Sequence, residues 1–194
     1  MAMVRQFDEE AVLDKALDVF WQKGWQATSM ADLAEATGVQ RGSLYHAYGG
    51  KEQLFLLIFE RYSKRFLAEV RTALAAPSAA VALTRFFDIA IANMTSGSPP
   101  RGCLTTKTAA ESDELSPLIQ ASLRTLLDAM DTIITEALSR ESIRKALSVP
   151  AAQAAQMIIA FTRGLAVIER IYHEPDRLHA TAADFAGLLL RERD

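Results

Sequence analysis

The run from Thr28 to Leu54, TSMADLAEATGVQRGSLYHAYGGKEQL, constrains this chain more than any other, because its punctuation allows two short helices, a tight turn between them and the start of a third. Ser29 stands where a helix N-cap belongs, and Asp32, three residues on, puts a carboxylate at the positive end of the helix dipole. Met30, Leu33 and Ala34 recur at i, i+3 and i+4, so one face is apolar and packs inward. Gly38 supplies the left-handed conformation that stops a helix, and Val39 tucks the turn into the core. From Gln40 or Arg41 to about Ala47 a second helix gives Leu44 to the core and leaves Gln40, Arg41, Gly42, Ser43, Tyr45 and His46 facing largely outward. An outward face of amide, guanidinium, hydroxyl and imidazole groups has the chemistry that touches DNA.

These residues resemble the DNA-binding domain of the TetR family of one-component bacterial regulators. The family's Thr before the second helix is matched by Thr28, its Ala-x-x-x-Gly-Val turn by Ala34 with Gly38-Val39, its Gly-x-Leu-Tyr by Gly42-Ser43-Leu44-Tyr45 and its Lys-Glu-x-Leu by Lys51-Glu52-Gln53-Leu54. Ala47 stands where His is frequent and Tyr48 where Phe is usual, so one contact near the DNA backbone is missing and one hydroxyl is gained. The resemblance implies an all-α fold: a three-helix helix-turn-helix DNA-binding domain over residues 1–50 and a larger helical ligand-binding and dimerisation domain over 51–194. It also implies a homodimeric repressor that binds a palindromic operator on double-stranded DNA and is released by a small-molecule effector.

Chemistry assigns roles within the reader. Gln40, Arg41, Ser43 and His46 suit base edges or phosphates in the major groove, where Arg reads guanine and Gln reads adenine through paired hydrogen bonds. Gly42 permits close approach. Thr28 and Ser29 at a helix start, and Lys51 after Gly49-Gly50, suit phosphates through hydroxyl, ammonium and free backbone N–H groups, and Tyr45 and Tyr48 through their hydroxyls. Net charge opposes strong non-specific binding: the chain carries −3, and residues 1–65 hold eight basic against nine acidic side chains. A local positive surface requires Arg5, Lys23, Arg41 and Lys51 to share one face.

The remaining sequence reads as helix after helix. Asp8 caps a first helix that buries Leu13, Ala16, Leu17, Phe20 and Trp21 and ends at Gly24. A long helix over about 51–75 carries Leu54, Leu57, Ile58, Tyr62, Phe66, Val70 and Leu74 as its apolar stripe, and Pro77 bars its continuation. Further helices are expected over about 79–94, 103–111, 116–138, 150–172 and 177–191, with a loop at 96–102. In the last two, Ile158, Phe161, Leu165, Ile168 and Tyr172, then Leu178, Ala182, Phe185 and Leu189, step by threes and fours. That spacing makes a coiled-coil-like seam, expected as the dimer interface, although it can also pack within its own subunit. The resemblance implies a four-helix bundle across a two-fold axis, which makes two recognition helices read a palindrome.

An apolar interior containing Phe86, Phe87, Met94, Leu104, Leu126, Met130, Met157 and Phe161 can enclose an apolar or amphipathic effector or simply be filled. Cys103, in Pro-Pro-Arg-Gly-Cys-Leu-Thr-Thr-Lys, is a further candidate contact. Cations such as Arg101 and Lys107 beside a thiol at a helix start favour its reactive form, so a redox or electrophile sensor is an alternative to a small packed hydrophobe. A single cysteine excludes an intrachain disulfide and an all-cysteine metal site. His173 and His179, near Glu174 and Asp176, do not make a convincing metal site, and neither metal nor cofactor is expected. No phosphate loop or nucleophile motif supports catalysis. No apolar run approaches the roughly 18 residues of a membrane span, and the first residues lack a signal-peptide core, which sets the cytoplasm as the expected compartment. A DNA-bound protein that recruits a partner is the alternative to a promoter regulator.

Overall fold

Each helix boundary is set by a side chain or a glycine that satisfies backbone groups the helix leaves open. In the computed structural model, which describes residues 8–97, 100–111 and 115–191, Asp8 accepts from the N–H groups of Glu10 and Ala11 and opens α1 (Glu9–Lys23), which Gly24 closes. Ser29 and Asp32 form a reciprocal capping box at α2 (Met30–Thr37). α3 (Arg41–Tyr48) and α4 (Lys51–Leu74) are separated only by Gly49 and Gly50. Ser78 caps α5 (Ala79–Thr95), and Cys103 precedes the short α6 (Leu104–Ala109). Ser116 caps α7 (Pro117–Ser139), whose first residue is a proline, where a missing N–H costs nothing. The one-turn α8 (Glu141–Arg144), α9 (Ala151–Tyr172) and α10 (Pro175–Leu188) complete the chain.

α1, α2 and α3 form a head, and α5 to α10 form a body. α4 belongs to both, since it packs against α1 at one end and against α5 and α7 along its length. Its contact with the head is aromatic. Phe55 meets Phe20 edge-on at 5.0 Å and Trp25 at 5.3 Å, while Tyr62 meets Trp21 at 5.2 Å. Spacings of four, three and four residues keep Phe55, Phe59, Tyr62 and Phe66 on one side of the helix, where neighbouring rings lie 5.6 to 6.0 Å apart. Leu57, expected on this stripe, instead faces outward at 39% exposure. At the far end, Arg140 donates to the carbonyls of Leu74 and Ala76 and so caps α4 from α7's last turn.

Two features were not expected. α8 is one, and a short pairing of the 146–148 segment with the chain end is the other. Ser148 N donates to Leu189 O and Arg191 N to Ala146 O, both at 2.9 Å. Leu190 is therefore paired with Leu147, and α10 stops at Leu188 rather than reaching Arg191.

The residues of the expected dimer seam are divided between interior and surface. Ile158, Leu165, Leu178 and Leu189 are buried within their own subunit, at 3% exposure or less. Phe161, Ile168 and Phe185 are half-buried, with Phe161 and Phe185 stacked at 4.0 Å, and Tyr172 is exposed beneath the Arg177 guanidinium. The outward stripe of α9 lies one residue away, at Met157, Ala160, Gly164, Val167 and Ile171. α9 also departs from the expectation that no segment approaches a membrane span: it has 22 residues, with a mean hydropathy of 1.4 over its most apolar window. Yet it holds Glu169 and Thr162 in the interior and packs along α7 as a body helix.

The ring contacts between α1 and α4 predict that Phe55→Ala lowers unfolding free energy by about 3–5 kcal/mol, the usual cost of truncating a buried Phe. Urea denaturation should show a lower midpoint with an unchanged slope.

Candidate nucleic-acid interface

α2 and α3 are held at a fixed angle by the turn between them. Gly38 has φ of 71°, a left-handed conformation, and its N–H donates to Ala34 O at 3.0 Å. Thr37 Oγ1 donates to Leu33 O at 2.7 Å and accepts from Val39 N at 3.3 Å. Leu44 and Tyr48, one turn apart, then pin α3 to the core. Gln40, Arg41, Gly42, Ser43, Tyr45 and His46 are all exposed. Arg41 lies 5.6 Å from the centroid of the Tyr45 ring, so guanidinium and phenol present one outer surface. A Cβ on Gly42 would meet nothing within 4 Å, so the protein's own packing does not require glycine there. Gln40 makes no side-chain cap bond, which leaves its amide and the first-turn N–H groups of α3 open to an outside partner.

Three of the other expected contacts, Thr28, Tyr48 and Ser29, are turned to the protein itself, while Lys51 is anchored at the turn after α1. Thr28 is buried, and its hydroxyl donates to Gly24 O at 2.6 Å, closing the turn after α1 rather than facing phosphate. Tyr48 is turned into the core at 8% exposure, because it follows Leu44 by one helical turn. Ser29 is exposed, but its hydroxyl is spent in the capping box with Asp32. Lys51 Nζ donates to Trp25 O at 2.9 Å and stands 4.2 Å from the Trp25 ring centroid, half-buried. Burial lowers the Lys51 pKa, against an opposing pull from Glu111. Lys23 is likewise committed, at 2.6 Å from Asp32, and Arg5 lies outside the described residues. The shared basic face is thus partly used up inside the protein.

Trp25 and Glu111 escaped the sequence reading, and Lys107 was read only beside Cys103. Trp25, Lys107 and Glu111 gather at the turn after α1. Lys107 Nζ donates to Trp21 O and Gln22 O, and Glu111 accepts from Gln26 N at 3.0 Å. No local spacing links positions 26 and 111; only the fold does.

The expected effector contacts mostly lie in the filled interior. Phe86, Phe87, Met94, Cys103, Leu104, Leu126 and Met130 are buried. Phe87 meets Phe161 and Phe185 edge-on, at 5.7 and 6.0 Å, while Met157 is on the surface. Leu126 also borders a surface groove of about 270 Å³ between α4 and α7, and a second groove of about 340 Å³ runs between α4 and α5, floored by Tyr62 and Phe66. Arg101 is paired with Asp18 and Lys107 with α1's carbonyls. The cation nearest the thiol is instead Arg163, whose Nη1 lies 3.7 Å from Cys103 Sγ. His173 faces Glu169 and His179 faces Asp88, so the two imidazoles have separate partners.

Residues 12–58 match the family model of bacterial regulatory proteins of the tetR family, and residues 79–185 that of the tetracyclin repressor-like C-terminal domain. The chain belongs to the TetR family. It is 46% identical over 100 residues to the HTH-type transcriptional repressor ComR of Escherichia coli K12, covering 50% of this chain and 47% of ComR. A regulator from Bacillus subtilis, YezE, is 39% identical over 77 residues, which is 40% of either chain. The match thus spans about half or less of these curated relatives. Whole-chain likeness comes from solved structures. CifR, a TetR family regulator solved as a cysteine mutant complexed with 26-bp double-strand operator DNA, is 26% identical with a TM-score of 0.83, covering 94% of this chain and 97% of CifR. The reduced form of E. coli NemR has the same TM-score at 18% identity, covering 95% and 97%.

In this TetR-type reader Asp32 is the group whose titration tests the geometry. Hydrogen bonds from Lys23, then from Ser29, lower its pKa from 3.8 to about 2. The carboxylate's stabilising effect is complete above the ordinary value and is lost as pH falls through about 2. A carboxyl-carbon NMR titration should find that low midpoint in the wild type, and Ser29→Ala should move it upward.

Proposed function

We propose that the protein is a one-component transcriptional repressor that binds a palindromic operator as a homodimer and is released by a small-molecule effector. The observation that carries this reading is α3's outward face, where Gln40, Arg41, Ser43, Tyr45 and His46 are exposed over a buried Leu44 and Tyr48. The likeness to the operator-bound CifR structure supports it. Arg41 and Gln40 read base edges, the open N–H groups of α3 and α4 take phosphates, and Gly42 allows the duplex to approach. The effector, apolar or amphipathic, acts in the helical body and favours a geometry in which the two α3 helices no longer match grooves about 34–36 Å apart. A regulator of this kind works in the cytoplasm.

The two subunits meet through the outward stripe of α9. Met157, Val167 and Ile171 are 37, 49 and 64% exposed, and Ala160 and Gly164 between them let a second helix approach closely. Leu188 of α10, at 77% exposure, is a further apolar side chain left on the surface, near the start of α9. Exposed apolar area of this extent on a folded domain is a mark of an interaction surface.

DNA selection from genomic fragments with purified protein should recover a palindromic site. On that site Arg41→Ala should weaken binding by roughly 5- to 150-fold, the equivalent of about 1–3 kcal/mol for a lost bidentate contact; recovery of no enriched sequence by a folded protein sinks the regulator reading. Sedimentation should show a dimer for the wild type and a monomer for Val167→Asp, which buries an unpaired charge at the proposed interface.

A second reading, in which Cys103 senses electrophiles, is favoured by the Arg163 guanidinium beside Sγ. Release of wild type but not Cys103→Ser from operator by N-ethylmaleimide would support it, and release of neither would remove it.

A further inference from the structure

The turn from Gly24 to Thr28 stands between the body and the first residue of α4. On one side it holds Lys51: Trp25 offers both its carbonyl, 2.9 Å from Nζ, and its ring face, 4.2 Å away. On the other side it is gripped by the segment after Cys103. Lys107 Nζ donates to the last-turn carbonyls of α1 at Trp21 and Gln22, and Glu111 Oε2 accepts from Gln26 N. This grip depends on Gly24, since a Cβ there would stand 2.3 Å from Glu111 Oε1. Thr28 locks the turn from within by its bond to Gly24 O.

We propose that Trp25 is the positioning residue for a phosphate contact made by Lys51, and that Glu111 holds the turn in the place from which it does so. This role rests on the DNA-binding reading above. A lysine ammonium is a flexible point charge that loses rotamer freedom when it settles on a phosphate. Here the carbonyl and the ring have already taken that freedom away. The carbonyl takes one of three N–H donors, leaving two at the start of α4, where Gly50 provides no side-chain cap and the first-turn N–H groups are also open. The bond from Glu111 to Gln26 gives the body a direct hold on that contact, one residue from the carbonyl that fixes Lys51.

The test is the salt dependence of binding to the selected site, because each phosphate neutralised contributes about 0.9 to the slope of log Kobs against log salt. Lys51→Met should lose about 0.9 for each subunit on the DNA. Trp25→Met, which keeps apolar volume but no ring face, should lose a similar amount, Trp25→Phe should keep the wild-type slope, and Trp25→Met with Lys51→Met should lose no more than Lys51→Met alone. Glu111→Ala touches no core side chain and guards against a misfolded Trp25 variant. Removing an acid near DNA by itself strengthens binding, so a shallower slope in Glu111→Ala would point to the turn rather than to charge. A wild-type slope in Lys51→Met, in folded Trp25→Met or in Glu111→Ala overturns the proposal while leaving specific binding intact. Absence of specific binding by the wild type overturns the regulator reading itself.

Discussion

The column of rings on α4 is what the head and body have in common. Phe55 is packed against the head through Phe20 and Trp25, Phe59 stacks on Phe55, and Tyr62 is reached by Trp21, so one helix presents a continuous aromatic edge to both parts. Edge-on and stacked rings resist sliding, because each offset has a preferred geometry. The column leads through Phe20 and Trp21 of α1 to the turn at Trp25. Burial raises the Tyr62 pKa, and its hydroxyl accepts from Asn93 Nδ2 at 2.9 Å, which ties the same column to α5.

Much of this was legible because the helix ends are written in side chains. Asp8, Ser29 with Asp32, Ser78, and Ser116 with Pro117 each place a first turn, and the structure starts those helices where the caps stand. The face of α3 was legible for a related reason: its polar residues interrupt a Leu44 and Tyr48 pair at helical spacing. Tyr48 itself was misread through its hydroxyl, although its position one turn after Leu44 already directs it inward. Thr28 is a subtler case. A threonine before a helix serves a phosphate or a nearby carbonyl equally well, and the bond to Gly24 O depends on the path the turn takes.

The outward stripe of α9 could not have been chosen from periodicity. Ile158, Phe161, Leu165 and Ile168 step as Met157, Ala160, Gly164 and Val167 do, by the same alternation of threes and fours, one residue out of phase. Each set makes an acceptable stripe. Ile158 and Leu165 went inside, on the side of α9 that packs along α7, while Met157, Ala160, Gly164 and Val167 were left outside. The 146–148 pairing was invisible for a different reason: its partners lie forty or more residues away, as Leu188 and Leu189 do from Ser148.

On α3, Arg41 is the only residue with a permanent charge, and Lys23 of α1 is neutralised by Asp32. On the proposed reading, a helix with one permanent charge gains little from releasing counterions along a random duplex. The chromosome then competes poorly as a decoy. A few copies of such a protein can occupy a single site without first saturating the millions of base pairs around it, and occupancy is set by how well the groove fits the helix.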